Sequence, residues 1–232
     1  GGENVVVNDA KEFIAAVNNV ADGGVITLGA DFDFTTEEGG RSFNSGTWYD
    51  GLYYVGDKSF TIDLNNHTIG NAKGAVNDYL FNFKNNGTKA NVITIKNGTL
   101  NAGTKAFCAI CSSASQAQPI TLNLEGVKLY NKVSNGSTIK WRGGCVLNVK
   151  AGTKITGEDS YAGIECVAST VNIFDGAEIY MNGTSSYNGC LVGVGGNGTV
   201  NVYGGYGKGV SGGFIAMTSG GTINVSGGEW IA

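Results

Sequence analysis

The sequence predicts an all-β fold, a right-handed parallel β-helix of about eight rungs that carries one short capping α-helix at its N-terminal end. Two observations support this prediction. A phrase of alternating apolar and polar residues that ends in a Gly or Asn turn recurs along the chain, as in STVNIFDGAEIY at 169–180. A second alternating run precedes most copies, as in GIECVA and GCLVGV. Each repeat therefore holds two or three short strands, which can bury their apolar faces only by stacking on neighbouring repeats.

The second apolar residue of each phrase serves as an anchor for aligning the repeats. The anchors are Leu28, Leu64, Ile95, Leu124, Val149, Ile173, Val202 and Val225. They are 23 to 36 residues apart, which suits a β-helix, whereas a propeller blade needs about 40 residues.

The alignment places polar residues in columns on the outer face of one sheet. One column holds asparagines whose amides can bond from strand to strand, with an aspartate among them: Asp63, Asn123, Asn148, Asn172, Asn201 and Asn224. The neighbouring column can form ion pairs and aromatic stacks: Lys96, Glu125, Lys150, Phe174 and Tyr203.

The segment 9–22 is predicted to be the capping helix. Asp9 can cap its first turn, Glu12 follows three residues later, and Gly23 and Gly24 end it. One apolar stripe is suited to covering the first rung: Ala10, Phe13, Ile14 and Val17. We expect a single domain over 1–232, with rungs from 25 to 232. The last phrase would leave an open strand edge, so we expect a fragment of a longer protein.

Composition excludes two classes of partner. The net charge is −4 with 15 Lys and Arg residues, and a nucleic-acid surface would need clustered basic residues. No apolar run approaches the ~20 residues of a membrane span, so no membrane insertion is expected. Hydrophobic residues make up 41% and charged residues 15% of the chain, which indicates a packed core.

The start of the chain resembles a known family. In VVVNDAKEFIAAVNNVADGGVITLGADFDF and FTIDLNNHTIG, a short helix precedes Ile26-Thr27-Leu28 with Ala30-Asp31, and a later strand carries His67-Thr68-Ile69. This pattern resembles the pectate-lyase-like adhesive domains of Gram-positive surface proteins, related in fold to the binding regions of serine-rich-repeat adhesins. The likeness covers about the first 70 residues. It implies an extracellular protein of the bacterial surface that binds host or microbial glycans, or other surfaces, without converting them.

The same architecture also supports polysaccharide lyases and glycoside hydrolases. A lyase needs carboxylates for calcium and a basic residue, and a hydrolase needs paired carboxylates. The sequence shows no acidic cluster between successive repeats, and Arg41 and Arg142 are far apart. We therefore predict a non-catalytic adhesin module without a cofactor, which binds a glycan or glycoprotein beside flanking domains of its own chain. An enzyme acting on acidic polysaccharide and a structural stalk segment stay open as alternatives.

The segment RSFNSGTWYDGLYYVGD, 41–57, is the first candidate binding site, because it lies in the longest interval between anchors. Its rings can stack on sugars and its polar groups can hold hydroxyls. The candidates are Arg41, Trp48, Tyr49, Asp50, Tyr53 and Tyr54. A second set lies in or near other long connections: Trp141, Arg142, Tyr180 and Tyr187. For both sets the alternative is that the rings only pack the loops onto the coil.

Two acidic residues and the single histidine are interpreted as structural. Asp31 and Asp33 form a weak calcium candidate, and a solvated acidic turn is the preferred interpretation. His67 has no second histidine or carboxylate pair near it in sequence, so packing in a turn is favoured over catalysis.

The five cysteines match no zinc spacing and are interpreted as buried free thiols: Cys108, Cys111, Cys145, Cys166 and Cys190. Cys108 and Cys111, three residues apart in a strand, would face opposite sides. Strand parity places Cys145 and Cys166 inward, with Cys190 in line with them.

Overall fold

A computed structural model describes residues 3–34, 42–44, 48–71, 79–104, 106–183, 189–210, 212–217 and 219–232, with only the backbone described at 42–44 and 48–49. Within these residues the chain is nearly all β, with one α-helix, α1 (Ala10–Asn19). The strands are β1 (Asn4–Val7), β2 (Gly24–Leu28), β3 (Phe32–Asp33), β4 (Ser42–Asn44), β5 (Trp48–Asp50), β6 (Leu52–Val55), β7 (Phe60–Asp63), β8 (Thr68–Gly70), β9 (Tyr79–Lys84), β10 (Asn91–Asn101), β11 (Cys108–Ser112), β12 (Ile120–Lys132), β13 (Ile139–Arg142), β14 (Val146–Val149), β15 (Lys154–Glu158), β16 (Ala162–Val167), β17 (Thr170–Ile173), β18 (Glu178–Asn182), β19 (Cys190–Gly195), β20 (Gly198–Val202), β21 (Tyr206–Lys208), β22 (Gly212–Ala216), β23 (Gly221–Val225) and β24 (Glu229–Ile231).

Two parallel sheets contain almost all of these strands. The first sheet has the spatial order β1-β2-β7-β10-β12-β14-β17-β20-β23, and β3, β8, β15, β18, β21 and β24 join it. The second sheet has the order β22-β19-β16-β13-β11-β9-β6. Only β4 and β5 pair antiparallel among the described residues. Strand order follows chain order in both sheets, an arrangement compatible with a solenoid.

The register of the first sheet confirms six of the eight anchors. Ile95 lies opposite Leu124, and Leu124 lies opposite Val149. The column then continues with Ile173, Val202 and Val225, each opposite the residue before it.

The first two anchors were placed two residues too late. Ile26 lies opposite Ile62, and Ile62 lies opposite Ile95, so these residues replace Leu28 and Leu64. Asp63 consequently faces Lys96 and does not belong to the asparagine column. A shift of two residues keeps every side chain on the same face, so the apolar pattern could not reveal the error.

The asparagine ladder is present. Nδ2 of Asn148, Asn172, Asn201 and Asn224 each donates to Oδ1 of the preceding asparagine, at 2.9, 3.0, 3.0 and 2.9 Å. In the neighbouring column, Lys150 Nζ lies 3.4 Å from Glu125 Oε1, and the rings of Phe174 and Tyr203 stack at 5.4 Å. The repeated Asn and its neighbours therefore bind successive strands together on the outer face.

Replacing Asn172 by alanine is expected to lower the free energy of unfolding by about 1–3 kcal/mol, because two amide bonds at ~0.5–1.5 kcal/mol each are lost. Asn224→Ala removes one exposed bond at the end of the ladder and should cost about half as much. Urea unfolding followed by circular dichroism measures both variants. Equal losses would show that the ladder does not stabilise the middle of the sheet.

Helix α1 covers the N-terminal end of the core. Asp9 Oδ1 accepts a hydrogen bond from the amide of Glu12 at 2.8 Å, as the sequence predicted, and Glu12 Oε2 accepts one from the amide of Asn8 at 2.7 Å. The helix ends at Asn19, earlier than predicted, because Val20 is already extended. Phe13 is fully buried and its ring stacks on that of Phe81 at 5.7 Å.

The last strands of the chain expose residues that are buried in earlier repeats. Val225 is 54% exposed, whereas its partner Val202 is fully buried. Ile231 is 40% exposed on β24. Separately, no described helix is both long and apolar enough to cross a membrane.

Candidate binding groove on the second sheet

The strands of the second sheet place two consecutive residues in the core. In β11 these are Ala109 and Ile110, both fully buried, and their amides both donate to the carbonyl of Thr138, at 2.9 and 3.2 Å. Such a bulge bends the strand and lets residues three apart share a face. Leu80 and Phe81 in β9 are likewise both fully buried. Strands β9 and β11 therefore depart from strict alternation of inward and outward residues.

The bulge corrects the placement of the CxxC pair. Cys108 lines a cavity together with Lys140, and Cys111 lies opposite Lys140 in register. Neither cysteine belongs to the core cluster that contains Cys145 and Cys166. The expectation that Cys108 and Cys111 face opposite sides is therefore wrong, since it assumed a regular strand.

One outward column runs across the strands of the second sheet. Its members, opposite one another in successive strands, are Tyr53, Asn82, Cys111, Lys140, Glu165, Gly193 and Ile215. Three cavities of about 210, 420 and 510 Å³ adjoin this column and share Glu165. We call this surface the sheet groove and define it by Tyr79, Lys140, Arg142, Tyr161, Glu165 and Gly193.

Hydrogen bonds hold the acidic side chain of the groove in place. Ser137 Oγ donates to Glu165 Oε2 at 2.8 Å. The buried side-chain amide of Asn131 holds the backbone at Ser137. Its Nδ2 donates to the carbonyls of Phe107 and Ser137 at 3.1 and 3.3 Å. The amide of Tyr161 donates to the carbonyl of Gly136 at 2.9 Å. The wall that carries Tyr161 and Glu165 is thus held by the fold before any ligand arrives.

Arg142 is anchored on the other side of the column. Its Nε donates to the carbonyl of Ser112 at 2.8 Å, and its amide donates to Ser112 Oγ at 2.7 Å. The Nε bond orients the guanidinium, and the amide bond holds the backbone of Arg142. The half-buried Arg142 lines the 510 Å³ cavity with Lys140 and Glu165.

The cysteines near the groove are protonated thiols. Burial raises the pKa of Cys111 to about 12, although the charges of Arg142 and Lys140 oppose the shift. Burial also raises the pKa of Cys108 well above its ordinary value. Because the thiolate is the nucleophile, neither is activated for covalent chemistry. Both cysteines are free thiols.

Cys190 does not align with the two core cysteines. It lies opposite Ala162 and lines the 420 Å³ cavity with Glu165 and Gly193. Cys166, by contrast, faces the core opposite Trp141 and Val194. All five cysteines are free and buried, which agrees with the first interpretation of them.

The 41–57 segment reaches the groove through one described side chain. Tyr53 is half-buried and begins the outward column. The candidates Arg41, Trp48, Tyr49 and Tyr187 lie outside the residues whose side chains the structure describes.

Three predicted contact residues lie inside the protein. Tyr54 is 4% exposed, and its hydroxyl accepts the amide of Lys58 at 3.0 Å. Asp50 is fully buried and accepts hydrogen bonds from the amide of Tyr79 at 3.3 Å and from Asn82 Nδ2 at 3.1 Å. Trp141 is fully buried because it alternates with the outward Lys140 and Arg142. The surface placement of these three side chains was wrong.

Tyr180 belongs to a different face. Its hydroxyl donates to Glu178 Oε1 at 2.6 Å, and Lys154 Nζ lies 5.0 Å from its ring centre. The bond to Glu178, together with burial, raises the pKa of Tyr180 to about 12. The structure therefore does not bring Tyr180 together with Arg142.

Asp31 and His67 form a pair that the sequence analysis missed. Asp31 Oδ1 lies 2.9 Å from His67 Nδ1 and also accepts the amide of Thr68 at 2.9 Å. The bond from Thr68, and then His67, lowers the pKa of Asp31. Asp33 lies opposite Gly70. Among the described residues no group of three or more His, Cys, Asp or Glu side chains converges, so the two aspartates gain no further candidate ligands.

Sequence reasoning also missed Tyr79, Lys140, Tyr161 and Glu165. The sequence does mark Lys140 and Glu165 as outward residues, because each is a charged residue between apolar neighbours, in STIKW and GIECVA. The sequence of one strand does not show which strands lie beside it. Comparison with known proteins adds no further assignment: no protein-family model matches the chain, and no curated protein or solved structure matches it either.

Proposed function

We propose that this chain is a carbohydrate-binding module of a bacterial surface adhesin and that the sheet groove holds its ligand without converting it. The observation that carries the proposal is that Tyr79 and Tyr161 line one cavity together with Lys140 and Glu165. Tyrosine rings offer flat apolar faces for sugars, and a few placed polar groups bind hydroxyls.

The proposal includes a right-handed parallel β-helix of about eight rungs as the scaffold. Parallel pairing of successive repeats supports it, as does the strong preference of parallel connections for right-handed crossovers. A scaffold of this kind would hold groove side chains from separate strands at fixed distances. The resemblance to adhesive domains supports an extracellular location at the bacterial surface, with a host or microbial glycan or glycoprotein as partner.

Binding is favoured over hydrolysis by the carboxylates of the groove. Glu165 is the one carboxylate among the described residues that line the three cavities. Hydrolases of either stereochemistry use two carboxyl groups at a defined separation. A single carboxylate held by Ser137 suits hydrogen bonding to sugar hydroxyls.

Replacing Gly193 by leucine should abolish or weaken glycan binding at least about tenfold. A Cβ at Gly193 would lie 3.6 Å from Met217 Sδ and 3.9 Å from Cys190 Sγ, ordinary contact distances, so the backbone tolerates a side chain that then fills the groove. Thr222→Leu places a leucine at an exposed position of β23 in the first sheet, away from the groove, and should leave binding unchanged. A glycan array followed by titration calorimetry measures both variants.

Three outcomes would contradict the proposal. New reducing ends or unsaturated products would identify an enzyme. Absence of binding to every glycan and cell surface would favour a structural stalk. Full affinity in Gly193→Leu would move the site away from the groove, and Trp48→Ala would then test the 41–57 segment.

A further inference from the structure

Two cationic side chains, Lys140 and Arg142, lie next to each other in the sheet groove, although the protein as a whole is acidic. The chain carries a net charge of −4, yet Lys140 and Arg142 both point outward from β13 and line the 510 Å³ cavity. They are two residues apart on one strand, which places them on the same side. Glu165 is the one carboxylate among the described residues lining this cavity.

Lys140 is not neutralised by its neighbour. Glu165 lies directly opposite it in register, yet no salt bridge joins the two, and among described residues Lys140 has no ion-pair partner. The Ser137 hydroxyl instead holds Glu165 Oε2. Lys150, by comparison, does contact Glu125 in the first sheet. The ammonium of Lys140 is therefore available to an anion.

Small residues form the turn after Arg142, beside this cavity. Gly143 and Gly144 follow Arg142 at positive φ angles of 85° and 74°, a conformation that favours glycine. A Cβ at Gly144 would meet nothing within 4 Å. Ala114 and Ala168 complete the small-residue lining. The chain turns away after Arg142 and leaves open space beside both cations.

We infer that the groove selects an anionic saccharide, with a carboxylate or sulfate group seated between Lys140 and Arg142. This inference rests on the proposed function and adds the ligand class to it. Arg142 presents a fork whose plane is fixed by Ser112, and a planar fork matches a carboxylate. Tyr161 and Glu165, beside the cations, would contact the uncharged part of the sugar.

The test compares uronic-acid oligosaccharides with their methyl-esterified forms, which have the same length but no charge. We expect the acidic oligosaccharide to bind at least about tenfold more tightly and to weaken as ionic strength rises. Lys140→Gln should remove most of this preference, and Lys140→Arg should restore it. Lys128→Gln removes an equal charge from the exposed first sheet and should change nothing. Sulfated oligosaccharides show whether a sulfate group can replace the carboxylate. Sodium acetate shows whether a free carboxylate binds without a saccharide.

The outcomes distinguish the preference for anionic saccharides from carbohydrate binding itself. Equal affinity for acidic and esterified oligosaccharides would overturn the anionic preference but leave carbohydrate binding intact. Binding of acetate as tightly as of the oligosaccharide would also overturn it, because no saccharide would then be selected. If no saccharide binds, the proposed function itself fails. An unchanged preference in Lys140→Gln would place the anion elsewhere.

Discussion

Replacing Trp141 by alanine is expected to lower the free energy of unfolding by about 3–5 kcal/mol. Trp141 is fully buried and is the largest fully buried side chain, so the substitution leaves a large cavity among core residues. Its Nε1 has no hydrogen-bond partner among the described residues. The loss should therefore come from packing. Urea unfolding followed by far-ultraviolet circular dichroism measures it.

Trp141→Phe is the matched control, because it keeps an aromatic ring and removes no hydrogen bond. It should cost about 1–2 kcal/mol and leave glycan affinity unchanged in the folded protein. A variant of normal stability that loses affinity would show that the indole contacts ligand, as the sequence analysis first suggested. A loss below about 1 kcal/mol for Trp141→Ala would contradict the burial of this side chain.

Raising the pH from about 7.5 to about 9.5 is expected to remove on the order of 5–7 kcal/mol of stability. Burial raises the pKa of Cys111 to about 12 and the pKa values of Cys166 and Cys190 to about 11. Burial also raises the pKa of Cys145, and that of Cys108 well above its ordinary value. An unfolded thiol has a pKa of about 8.5. Below that pH both states are protonated and the stability is fully present. As pH rises towards 11, the unfolded state loses protons that the folded state keeps, so stability falls by ~1.4 kcal/mol per thiol per pH unit.

Cys166→Ala is the control for this effect. It removes one thiol and also core volume, so its stability is lower at every pH. Its loss between the two pH values should nevertheless shrink by about a fifth, since one of five contributing thiols is gone. Tyr130 and Tyr180 also have raised pKa values, about 12, but their contribution begins near pH 10. An unchanged pH dependence in Cys166→Ala would contradict the assignment of this stability loss to the buried thiols.

The parts of the fold that depend on local periodicity were predictable. The apolar–Asn–apolar phrase places Asn172 outward between two inward residues, and equivalent asparagines meet wherever strands of successive repeats pair. The same holds for the stacked rings of Phe174 and Tyr203. Helix α1 was predictable because Asp9 and Glu12 carry a local capping signal.

Other features escaped prediction because they depend on distant parts of the chain. The two-residue register error at Leu64 left burial unchanged, so only pairing with β10 could reveal it. The bulge at Ala109 and Ile110 reverses the parity rule for Cys108. Asp50 looked like a loop residue, but Tyr79 and Asn82, about 30 positions further on, surround its carboxylate.

The sequence by itself determined that strands would stack in order with amides outside and aliphatic residues inside, because these properties follow from alternation within a few residues. Only the tertiary structure decided which side chains from separate strands line one surface. The sheet groove brings together Tyr79, Lys140 and Glu165 from three separate strands of the second sheet. Their proximity depends on the length of each intervening repeat and on the bulge in β11, and neither is visible within one strand.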